Sequence, residues 1–157
     1  MLDAADLAQP AVRLSILAAG VFFGSGLLTG AWKYAHIART PQAQAPAYVD
    51  IAHRASLMYA FAAMLLAQFA ALSAFSPTVN VWAAAVPLAF FAAAIGGYVL
   101  HGLLNDTDNQ FRQPQRIGGL SLPRGSLHAF MAVLMAGEIG GFAVLFAGVL
   151  ARMGVAF

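Results

Sequence analysis

"VDIAHRASLMYAFAAMLLAQF" (residues 49–69) sets a His and an Arg side by side at the mouth of a long run without a charged residue. A bilayer core of about 30 Å takes roughly 20 apolar residues per helix. Backbone N–H and C=O groups cannot be left unpaired in lipid, so such a run is helical. Two readings of the His–Arg pair follow. The pair anchors the helix end at the headgroups, or it serves a buried site opening at that end.

The rest of the chain shares this character. Of its 157 residues, 61% are hydrophobic and 9% charged, with a mean hydropathy of +0.77. Soluble domains carry about 25% charged residues. The length suits one domain over residues 1–157. The absence of cysteine excludes disulfides, thiolate metal sites and cysteine nucleophiles. Residues 1–10, "MLDAADLAQP", lack a basic n-region, so a cleaved signal peptide is not expected. The net charge of +2 comes from few groups, and no nucleic-acid partner is expected.

Four stretches qualify as spans: about 12–32, 51–75, 81–104 and 126–151. No polar/apolar alternation of about ten residues supports a membrane β-barrel. The expectation is an all-α polytopic membrane protein, a bundle of four transmembrane helices. Its connections are a loop at 33–50, a turn at 76–80 and a polar loop at 105–125. Both long loops then share one membrane face. That face holds Lys33, Arg39, Arg54, Arg112, Arg116 and Arg124, and the other holds only Arg13 and Arg152. The positive-inside rule places both loops in the cytoplasm and both termini outside, in the inner (cytoplasmic) membrane.

All four histidines, His36, His53, His101 and His128, fall at or near helix ends on the same face. Tyr98, His101 and Asn105 are spaced i, i+3 and i+7, one helical stripe, suited to an interfacial belt or to the wall of a pocket. Asp50 stands where an N-cap would, with His53 three residues on. A carboxylate there can take a ring N–H and leave the other nitrogen for a metal. Arg54 suits lipid phosphates or a cofactor carboxylate. Glu138 lies about 18 Å into the fourth span at 1.5 Å per residue. A charge there is costly, so it should face protein, with Gln68 a possible partner. Gly20, Gly24, Gly26 and Gly30, with Gly137, Gly140 and Gly141, mark close helix packing or room for a flat cofactor.

The "GLLTG" of residues 26–30, the Pro-containing loop, and Ala52–His53 opening the second helix resemble the small four-helix membrane isomerases. These are the hydroxylaminobenzene mutases and the styrene oxide isomerases. The resemblance implies a b-type haem between the subunits of a trimer, with His53 as its axial metal ligand. It also implies a small hydrophobic aromatic substrate, an epoxide or an N-arylhydroxylamine, rearranged by Lewis-acid action of the iron. Tyr98 in "GGYVLHG" matches a pocket-lining tyrosine of the family. In both families an Asn follows the His by six residues. Tyr59 stands there instead, so the substrate oxygen would be held by Tyr59 or by Asn105. Asp50, Arg54 and His101 complete the set expected around the cofactor. Two other classes fit the same residues. One is a b-type cytochrome or small respiratory subunit with two ligands among His53, His101 and His128. The other is a non-catalytic assembly or transport component.

Overall fold

A computed structural model describes residues 2–155. It is a bundle of four long helices, each long and apolar enough to cross a membrane. A short helix α1 (Ala4–Ala8) precedes them, held by reciprocal hydrogen bonds between Asp3 and Asp6. This is the capping-box pattern. Helix α2 (Pro10–Arg39) begins on Pro10, whose fixed φ and missing N–H suit a first helical position. Helices α3 (Ala47–Leu72), α4 (Pro77–Leu104) and α5 (Ser126–Arg152) follow.

The helices outrun the apolar spans. Residues 33–39, "KYAHIAR", contain no breaker, so α2 continues past Trp32 to Arg39 and stops ahead of Pro41. The loop expected at 33–50 shrinks to residues 40–46, and His36 is helical. At the other end α3 stops at Leu72, short of the expected Phe75. Ser76 caps α4, accepting the Val79 N–H at 3.4 Å, with Pro77 at the first helical position. The polar loop carries a small antiparallel hairpin of β1 (Arg116–Ile117) and β2 (Leu120–Ser121). Gly118, at φ +57°, and Gly119 make its two-residue turn.

In the bundle α3 and α4 form the central pair. Helix α2 packs on both, α5 packs on both, and α2 and α5 occupy opposite corners. The core is built of small residues such as Ala60, Ala63, Ala67, Ala83 and Ala84, wedged with Phe22, Leu66, Phe91 and Leu145. Small side chains let helix backbones approach closely in lipid, where dispersion rather than water exclusion holds helices together. Pro87 lies inside α4 and offers no N–H to the Ala83 carbonyl one turn back. Gly141 of α5 closes on that carbonyl: a Cβ at Gly141 would fall 2.5 Å from it. Outward-facing Leu28, Met58, Phe61 and Ile139 are each more than two-thirds exposed, as lipid-facing residues are.

Candidate functional site

The glycines at residues 26 and 30 bring α2 against the start of α3. A Cβ at Gly26 would meet the Leu57 side chain at 2.6 Å, and one at Gly30 would meet His53 Cε1 at 2.8 Å. The His53 ring therefore lies on Gly30, and its Nδ1 is 2.8 Å from the Gly26 carbonyl oxygen. The Thr29 hydroxyl, in the same stretch, donates to the Ser25 and Gly26 carbonyls. A carbonyl only accepts, so Nδ1 carries the proton and donates. In the neutral imidazole this leaves Nε2 unprotonated, and Nε2 has no hydrogen-bond partner among the described residues.

Asp50 has a different place from the one expected. Helix α3 starts at Ala47 after Pro46, so Asp50 lies inside the helix and is not its N-cap. Its oxygens are taken by Lys33 Nζ at 2.6 Å and by Arg54 at 2.8 Å, and the His53 ring is held by Gly26 instead. The extension of α2 past Trp32 is the cause, because it carries Lys33 onto the first turns of α3. The Arg54 side chain remains 65% exposed, open to an anionic group beside the His53 end.

The α4 stripe divides. His101 is buried, with Nδ1 2.8 Å from Asp106 Oδ1 and its ring 4.9 Å from that of Tyr48. Tyr98 also stacks on Tyr48, with ring centroids 6.1 Å apart. The Tyr48 hydroxyl accepts the Gln110 N–H at 2.6 Å, and the second Asp106 oxygen accepts the Gly118 N–H. Burial pushes the Asp106 carboxyl up, but the Gly118 N–H and the His101 ring together hold it below the ordinary range. Asn105 is exposed and left-handed (φ 47°), closing α4 through its N–H to the His101 carbonyl. It borders a polar cleft of about 720 Å³ with Asp106, Asp108 and Gln110. Tyr48 and Asp106 were not singled out in the sequence. The tie between Tyr48 and Gln110 spans 62 positions, with no local signal to reveal it.

Tyr59 is half-buried and stacks on Phe91 at 4.3 Å between α3 and α4. Glu138 lies on α5. Its Oε1 is buried without a partner among the described residues, and Gln68 does not bond to it. Within one chain, then, Tyr59, Tyr98 and Glu138 face the interior of the bundle while His53 faces α2. Tyr48, the neighbour of His101, is five residues from His53, roughly 140° around α3 at about 100° per residue. His53 and His101 therefore occupy separate sides of that helix. His128 is exposed, 5.9 Å from Phe111, and His36 lies 6.0 Å from Trp32 on α2.

No known family model, curated protein or solved structure matches the chain.

Proposed function

We propose that this membrane protein is an isomerase that holds a b-type haem through His53 and rearranges a small apolar aromatic epoxide or N-arylhydroxylamine. The observation that carries the reading is the His53 setting: Nδ1 tied to the Gly26 carbonyl, the ring seated on Gly30, and Nε2 unpartnered. Metal-bound histidines characteristically donate the other ring N–H to a carbonyl or carboxylate, which fixes tautomer and orientation. The donor set would thus fit one bond from this chain to the iron. The separation of His53 from His101 around α3 speaks against both binding one iron within a chain.

When bound, the haem iron supplies a Lewis acid for the substrate oxygen. The chain's own residues supply the remainder. Gly26 and Gly30 hold the imidazole, and Arg54 offers a cation beside it. The apolar helix faces exclude water that would intercept a cationic rearrangement. Among the described residues His53 lines neither the 720 Å³ polar cleft nor the cavities of about 230–430 Å³ beside the helices. A planar group on its Nε2 would therefore lie at the chain's surface, and a homotrimer would cover it with a second copy. The basic residues of the loops favour an inner-membrane orientation with both loops cytoplasmic.

The absorption spectrum of the purified protein is the test. A Soret band perturbed by azoles, together with a mass above one 16.4 kDa chain after subtraction of detergent, is expected. Protein expressed with ample haem that shows no Soret band overturns the reading.

A further inference from the structure

His101, paired with Asp106, borders a cavity unrelated to His53. About 410 Å³ in volume, it lies between α4, α5 and the β1–β2 hairpin, and its walls include Gly97, Phe130, Ile117 and Leu122. The walls are apolar but for a few groups, among them His101, Gln110 and Arg116. Gln110 and Arg116 also border the 720 Å³ polar cleft. The two spaces therefore meet at these residues, apolar on the membrane side and polar on the loop side. Pockets of this size and character hold small apolar molecules fixed by a few polar groups.

The polar groups at the junction are held in place. The Gln110 N–H is tied to Tyr48, and the Asp106 carboxylate is occupied by His101 and Gly118. With Nδ1 directed to Asp106, the other His101 nitrogen is left without a protein partner among the described residues. Arg116 makes no ion pair among the described residues.

We propose that this cavity binds a small apolar carboxylic acid, its body among Gly97, Phe130 and Leu122 and its carboxylate at Arg116. Arginine suits this task because its guanidinium meets a carboxylate through paired N–H donors. The site goes beyond the His53 reading and stands whether or not a haem is bound.

The test uses the full chain in lipid nanodiscs and 4-(trifluoromethyl)phenylacetate, followed by fluorine NMR against empty nanodiscs. Saturable binding of this acid is expected. Gly97 has no atom within 4 Å of its Cβ position, so Gly97→Leu grows into the cavity and should abolish binding with helicity intact. Arg116 is an exposed residue of β1, and Arg116→Gln should weaken the acid about tenfold while leaving weak binding of the matching alcohol unchanged. The proposal is overturned if the acid binds no better than to empty nanodiscs. It is equally overturned if a folded Gly97→Leu binds normally, or if Arg116→Gln weakens acid and alcohol alike. Should Gly97→Leu fail to fold, the Arg116→Gln comparison decides alone.

Discussion

The imidazole of His53 rests where a side chain at residue 30 would stand, 2.8 Å from the Cβ position of Gly30, while Gly26 one turn earlier accepts its N–H. Two positions on α2 thus set both the location and the tautomer of one histidine on α3. Gly30→Leu should push the ring away and break the Nδ1 hydrogen bond, at about 1–3 kcal/mol of overpacking. Haem content per chain should fall with it. A Soret-to-protein ratio equal to that of the parent would show that the cradle does not position an iron ligand.

Replacing the histidines one by one separates a single-ligand site from a bis-histidine one. His53→Ala should remove the Soret band, while His36→Ala, His101→Ala and His128→Ala should retain it. Loss of the band from His101→Ala as well would point to a two-ligand cytochrome. Retention in His53→Ala would reduce His53 to an interfacial residue.

Asp50→Asn distinguishes the observed partners from the expected one. Its carboxylate serves Lys33 and Arg54, both partly exposed, and pairs of that kind contribute at most about 1 kcal/mol. Thermal stability should drop slightly and the haem spectrum should stay as it is. A spectral change as large as that of His53→Ala would mean that Asp50 does orient the ring.

Acid should loosen the 105–125 loop before the bundle. The Asp106 carboxyl lies below its ordinary value when folded, so its contribution is fully present above the unfolded value of about 3.9. It is lost as pH falls through the depressed folded value. Limited proteolysis at stepped pH should show the loop opening in that window. Asp106→Asn should make cleavage nearly independent of pH there, and an unchanged pH profile would contradict the role given to Asp106.

The four long helices were legible because each carries enough apolar residues to span a bilayer, and the number of spans follows from that alone. Their ends were less so. Residues 33–39 are polar enough to resemble a loop but contain nothing that stops a helix, and the first true breaker is Pro41. The Asp50–His53 pairing failed for a related reason. Sequence spacing reveals neighbours on the same helix, whereas the ring's partner is a backbone carbonyl 27 residues away that any residue type could provide. Asp106 could have been found as the first carboxylate after His101, and the Gly118–Gly119 turn as a hairpin signal. The bond from Tyr48 to Gln110 left no trace in either segment.

Pro87 gives α4 a built-in optical reporter. The Ala83 carbonyl lacks the amide that an ordinary residue at 87 would present, and across the helix interface it lies 2.5 Å from where a Cβ at Gly141 would stand. A carbonyl without a strong hydrogen bond vibrates at higher frequency than its helical neighbours. Labelling Ala83 with carbon-13 would place one resolved infrared band at the α4–α5 seam, and its frequency would follow the separation of those two helices as the protein works.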